Sequence, residues 1–312
     1  MRPEDLCGKT ILVTGANGFI GQAVVRRLMQ CDETRLVLLS RGGGYPDSSR
    51  VTALNADLNQ LTPAHFANLD IDVVVHLAAF IPKNAAQADD MEAVYSANIN
   101  GLRRLFEALP DSLRRFVFIS TVDIYAPDVA HCLSENTPAN PATLYAASKL
   151  FGETLTRVVA SQRGWSHAVL RLGHIYGEGE HAYAKLIPAT IDRLLAGEPP
   201  QLHGQGGELR DFLHVDDAAE AILRAAAHPD EALGPLNIVS GCSISIRSLI
   251  GLLVELIGWS GGIEHIDAPR SGRSFSFNNY AMKQALGEWP KIDLRAGLLR
   301  EISAVKEQRH AA

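Results

Sequence analysis

Of the 312 residues only four are cysteine, four methionine and three tryptophan, and aromatics make up 6%. Cys7, Cys31, Cys132 and Cys242 lie far apart with no Cys-x-x-Cys, which excludes a disulfide scaffold or a zinc ribbon. They are expected to be reduced and mostly buried thiols, with no metal role. Basic residues are also short: 29 Lys and Arg stand against 35 Asp and Glu, a formal charge of -6. With no positive excess to neutralise phosphates, nucleic acid and anionic membrane surfaces are excluded as partners, although local arginines can still hold a small anion. No apolar run approaches the ~18 residues that span a bilayer. The start carries Arg2, Glu4, Asp5 and Lys9 without an apolar stretch behind them, so no signal peptide is read and a cytoplasmic location is expected. Repeats and low-complexity tracts are absent as well.

What is present is ordinary globular material, 46% hydrophobic, long enough for one large domain or two modest ones. Short apolar runs at Lys9 to Thr14, Arg35 to Ser40, Val51 to Asn55, Val73 to Leu77, Arg115 to Ser120 and Ala168 to Leu172 read as strands. Several are continuous rather than alternating, the pattern of parallel strands covered on both faces. Between them Phe19 to Cys31, Asp90 to Leu109 and Leu144 to Arg163 have helical length and spacing. The class is α/β, a doubly wound parallel Rossmann sheet in residues 1–175, with 212–240 returning to it. Leu209 to Ala227 reads as a helix and Leu236 to Val239 as a strand in that return. Residues 176–211 and 241–312, broken by glycine and proline, form a smaller, interleaved C-terminal substrate lobe.

Strand Ile11 to Thr14 runs into Gly15-Ala-Asn17-Gly18-Phe19-Ile20-Gly21 and then an apolar helix. Gly15 permits the tight turn, Gly18 lets backbone approach a pyrophosphate, and Gly21 allows close packing of helix on strand. The helix N-terminus offers N–H groups and partial positive charge to the phosphates. About 20 residues on, where an acidic residue would hold the ribose of NAD, the chain reads Leu39-Ser40-Arg41. A hydroxyl followed by arginine favours the 2′-phosphate of NADP(H), with NAD(H) possible and a solvated loop the plain alternative for Arg41. Asp57-Leu58 can hold the adenine edge, although a turn aspartate is the plainer reading.

Downstream, Tyr145 and Lys149 stand four apart in a helical segment, which puts phenol and ammonium on one face. A free tyrosine titrates near ~10, and a cation within about 4–6 Å lowers this by roughly one to three units, towards a usable acid/base.

In these residues the chain resembles the NAD-dependent epimerase/dehydratase family of extended short-chain dehydrogenase/reductases, most of which act on sugar nucleotides. The resemblance runs through Gly15 to Gly21, Asp57-Leu58, His76-Leu77-Ala78-Ala79, Asn98, Ser120-Thr121 to Tyr125, Tyr145 to Lys149 with Phe151-Gly152-Glu153, Arg171 to Gly177, Gly204-x-Gly206, Arg210 to Asp217 and Leu286 to Pro290. It implies Thr121, Tyr145 and Lys149 as catalytic residues. Leu77, Ala78, Ala79, Asn98, Tyr145 and Lys149 would join the glycine turn at the cofactor. Arg210 and Arg270 would clamp a diphosphate, and His174 would lie near the sugar or its phosphates. The alternatives are ion pairs for the arginines, such as Arg210 with Asp211 or Glu208, and a core position for His174. His76 and His214 read as packed structural residues.

Two departures narrow the reaction. Family 4,6-dehydratases follow the threonine with Asp-Glu, whereas Thr121-Val122-Asp123 stands here, and Arg270-Ser-Gly-Arg273 replaces Arg-Pro-Gly-Asp. The expected activity is an NADPH-dependent 4-ketoreductase on a sugar nucleotide, with a 4-epimerase as the alternative and a non-catalytic dinucleotide sensor as the reading from another class. The resemblance also implies a homodimer through Asp90 to Leu109 and Leu144 to Arg163.

Overall fold

Runs of valine, leucine and isoleucine bounded by polar turns become strands in the computed structural model, which describes residues 3–125, 132–180, 185–229, 231–267, 274–288 and 290–311. Through Leu172 the chain supplies β1 (Thr10–Thr14), α1 (Phe19–Leu28), β2 (Arg35–Ser40), β3 (Val51–Asn55), β4 (Val73–His76), α2 (Ala85–Ala88), α3 (Met91–Val94), α4 (Gly101–Ala108), β5 (Arg115–Thr121), α5 (Leu144–Arg163) and β6 (Ser166–Leu172). Then come β7 (His174–Tyr176), α6 (Leu186–Leu195), β8 (Gln201–His203), β9 (Leu209–His214), α7 (Val215–Ala226), β10 (Ala232–Ile238), β11 (Ser243–Ser245), α8 (Ile246–Ile257), β12 (Glu264–Ile266), α9 (Tyr280–Leu286) and α10 (Leu294–Ala311).

The chain divides into two compact units, one of residues 1–126, 137–172 and 218–237, the other of 127–136, 173–217 and 238–312. The first holds a seven-stranded sheet in the order β10-β6-β5-β4-β1-β2-β3, with the pairs from β3 across to β6 parallel. The order reverses between β1 and β4, so the loops leaving those two strands open the crevice where such sheets hold ligands. Phe66, Leu102, Leu105, Phe106, Phe116, Phe118 and Trp165 fill the core on one face. In the second unit β11-β9-β7 and β12-β8 form small sheets, and Tyr176, Ile187, Ile191, Leu249, Leu253, Leu298 and Ile302 make its core.

Three expectations need correction. Leu209 to Ala227 is not one helix: Leu209–His214 is β9, paired with β7 and β11, and the helix starts at Val215. Phe212 and Leu213 serve a strand as well as they serve a helix, so pairing decides. Asp90 to Leu109 is interrupted by a π-helical turn at Tyr95–Asn100. Of the cysteines only Cys31 is buried, while Cys7, Cys132 and Cys242 are exposed. Among the described residues no helix is long and apolar enough to cross a membrane.

Candidate active site

The glycine turn is shaped by contacts that no side chain could share. Gly15 has φ +71°, and a Cβ there would lie 2.8 Å from the Ala78 amide nitrogen. A Cβ on Gly21 would lie 2.1 Å from Gly15 O. Helix α1 then begins at Gly18 with no side-chain cap, its first turn running through Phe19 and Ile20. The uncapped helix start beside a glycine-bounded turn suits a pyrophosphate. Asn17 reaches across to β2: its Nδ2 donates to Ser40 Oγ at 3.1 Å and to Gly43 O. No carboxylate stands at the end of β2. Arg41, 76% exposed, lies 3.9 Å from Asp57, whose other oxygen accepts from the Asn59 amide. Leu58 is buried in the core and packs under Gly101.

On the other side of the crevice, Thr14 Oγ1 meets His76 Nδ1 at 2.8 Å and accepts from the Ala78 amide at 3.2 Å. Burial and the charge of Lys149 hold His76 at a pKa of about 3, so it is a neutral strand residue that fixes the Leu77-Ala78-Ala79 loop. Asn98 continues this bracing. Its Oδ1 accepts from Phe80 N at 2.7 Å, and its Nδ2 donates to Phe80 O and to Ser148 Oγ, both at 3.0 Å. Ser148 in turn donates to Tyr145 O. The loop after β4 is thus tied to the first turn of α5 by a residue of the π-helical turn. Such turns often mark functional sites.

Thr121 ends β5 and caps a short 3₁₀ turn, its Oγ1 accepting from Asp123 N at 3.2 Å. Tyr145 and Lys149 sit on α5, capped by Thr143, Tyr145 half-buried and Lys149 buried. Gly152 lets α5 settle on β5: a Cβ there would lie 2.3 Å from Phe118 Cζ. That ring lies beneath the ammonium, with Lys149 Nζ 4.8 Å from its centroid. Burial lowers the Lys149 pKa to about 8, and the negative charge of Glu153 resists the fall.

Glu153 was named in the sequence only as part of a motif. It accepts from Ser120 Oγ at 2.5 Å and from Arg171 Nε and Nη2 at 3.0 and 2.8 Å. Arg171 also donates to Tyr125 Oη at 2.9 Å, and Tyr125 donates to Asn237 Oδ1 at 2.7 Å. All five residues are buried. Deleting one partner of such a pair costs about 3–5 kcal/mol. A Glu four residues after a Lys was the available signal, but that spacing usually marks an exposed helix face.

In the second unit β7 and β9 pair His174 with Phe212, and the His174 ring contacts Phe212 and Phe275. Its Nδ1 is buried without a hydrogen-bond partner, and burial, then the charges of Arg210 and Lys185, lower its pKa to about 4. Arg210 donates to Leu209 O at 2.8 Å and lies over the Phe275 ring, so these two candidates share an aromatic wall. His214 is buried, 2.9 Å from Glu178. Arg270 and Arg273 lie outside the described residues.

The model of the NAD dependent epimerase/dehydratase family matches residues 11–239. A putative UDP-glucose 4-epimerase of Methanocaldococcus jannaschii is 29% identical over 95% of this chain and 98% of its own. A dTDP-glucose 4,6-dehydratase of Streptomyces griseus is 30% identical over 96% and 94%. Among solved structures, UDP-glucuronic acid 4-epimerase from Bacillus cereus in complex with NAD superposes with a TM-score of 0.84 at 26% identity, covering 96% of this chain and 99% of that one. With the glycine turn, the seven-stranded sheet and the Tyr145 helix in place, the chain belongs to the NAD-dependent epimerase/dehydratase family, of the extended short-chain dehydrogenase/reductase type.

Proposed function

We propose that the chain reduces a 4-keto sugar nucleotide with NADPH, the first unit holding the cofactor and the second the substrate. The observation that carries the reading is the end of β2, where Ser40 and Arg41 stand in place of a carboxylate. A 2′-phosphate there meets a guanidinium, whereas the 2′-hydroxyl of NAD finds no acidic acceptor. The Arg41–Asp57 pair is exposed and long at 3.9 Å, so a phosphate displaces it at little cost.

When bound, the dinucleotide supplies hydride from its nicotinamide ring. Thr121 Oγ1 donates a hydrogen bond to the carbonyl oxygen of the sugar. Tyr145 gives its proton to that oxygen as negative charge develops on it. The ammonium of Lys149 binds the ribose hydroxyls and stabilises the phenolate that remains. In the second lobe Arg210 and Arg270 hold the diphosphate, and the buried, unpartnered Nδ1 of His174 suits a polar substrate group. Val122, buried beside Thr121, carries no proton for elimination, which argues against a 4,6-dehydratase despite the Streptomyces relative.

A second reading, 4-epimerase, draws on the NAD-bound Bacillus structure and uses the same three residues. Exposed Met91, Tyr95, Phe151 and Val158 along α3, the π-helical turn and α5 support pairing of two copies through those helices.

Incubation with sugar nucleotides and their 4-keto forms, followed at the absorbance of reduced cofactor, tests the reaction: stoichiometric NADPH consumption is expected. Product change without consumption would establish the epimerase instead. In titrations Arg41→Ala should weaken NADPH binding about tenfold and leave NADH unchanged, as befits one charge-assisted contact. Equal affinities of the parent for both cofactors would refute the phosphate argument.

A further inference from the structure

Glu153 is a buried carboxylate on the helix that carries Tyr145 and Lys149. Its carboxylate is shared by three elements: its own α5, Ser120 at the end of β5, and Arg171 on β6. Ser120 immediately precedes Thr121, and Glu153 stands one helical turn beyond Lys149. The carboxylate therefore holds the residue before Thr121 and stands one helical turn from Lys149. A guanidinium bound through two nitrogens fixes its orientation, and Arg171 is itself fixed by Tyr125 and Asn237.

Lys149 is 4% exposed. From β4 it faces His76, which is neutral; from β5 it faces the Phe118 ring; on its own helix it has Tyr145 and Glu153. Burial in this setting works against the ammonium, and the opposing negative charge comes from Glu153. A lysine that loses its proton can neither stabilise a phenolate nor hold the same hydrogen bonds.

We propose that Glu153 is a positioning residue for this site: oriented by Arg171, its carboxylate pins the end of β5, and so Thr121, to α5, and it supplies the negative charge that offsets the burial of Lys149. The proposal rests on the assignment of Tyr145 and Lys149 made above. That assignment is tested separately by Tyr145→Phe, in which Glu153 plays no part.

The test is the titration of Lys149 in protein labelled with 13C-lysine, its resonance assigned by its loss in Lys149→Met. In Glu153→Gln the midpoint should fall by roughly one unit, the effect of losing one nearby charge. The alkaline limb of the kcat profile should move down with it. Ser120→Ala keeps the charge and removes the pin, so kcat should fall several-fold with the midpoint unmoved. Where Glu153→Gln leaves Arg171 buried alone and fails to fold, Glu153→Gln with Arg171→Met removes both charges, and the midpoint should still lie below the parent's. An unmoved midpoint in the folded variant overturns the proposal. So does a lowered midpoint with a stationary kcat limb, because a purely structural role would change stability and leave the pH profile where it was.

Discussion

Two buried carboxylates, Glu153 in the first unit and Glu301 in the second, are held in opposite ways. In the first, Glu153 has Arg171 in a two-pronged contact and Ser120 besides, and Asn98 has every polar atom bonded. In the second, Glu301 has a buried Oε2 without a hydrogen-bond partner, and the charges of Glu180 and Glu178 crowd it. Burial first, then those neighbours, raises its pKa to about 8. Glu180 is likewise raised by burial, against the pull of Lys185. Crowded carboxylates make the packing of α10 in the second unit a function of pH.

The largest effect that would break this contrast lies at the chemistry itself. Tyr145→Phe should lower turnover by about 10²–10⁴-fold, the usual worth of a positioned acid/base, while cofactor binding followed by fluorescence stays intact. Unchanged turnover would reduce the first unit to a nucleotide-holding scaffold of the sensing kind. Next comes the frame. Gly152→Ala pushes a methyl against the buried Phe118 ring and should cost about 1–3 kcal/mol in urea melts. A neutral result would mean that α5 and β5 are looser than the Glu153 network implies.

The smallest effect sharpens the second half of the comparison. A carboxyl whose folded pKa is raised holds a proton that the unfolded chain has released, so its stabilisation is present below about 4.5 and lost as pH rises towards about 8. Glu301→Gln, which is never charged, should therefore raise Tm at pH 8 by roughly 2–4 °C for each ~1 kcal/mol recovered, and flatten the dependence of Tm on pH. A parallel pH dependence in the variant would show that Glu301 does not carry the effect.

Much of the first unit was legible because its signals are local. Continuous apolar runs gave β1 to β6, and α5 was bounded at Leu144 and Arg163 by a threonine cap and a left-handed Gly164. The glycine turn was legible from its place between the first strand and an apolar helix. What escaped depends on partners distant in sequence: the strand at Leu209–His214 exists because β7 and β11 flank it, and Glu153 means something only once Arg171 and Ser120 surround it. Three exposed cysteines contradict the expected burial, since a thiol at a loop or end goes where its backbone goes.

The π-helical turn at Tyr95–Asn100 has a mechanical consequence of its own. Its wider loop of backbone bonding accommodates one more residue than a regular coil, and each residue advances an α-helix by about 100°. Deleting a single amino acid within it would let the helix straighten, swing Asn98 to another azimuth, and cut the brace between Phe80 and Ser148. The segment thus behaves as a spacer gauge whose length, more than its composition, sets the alignment of the crevice's two walls.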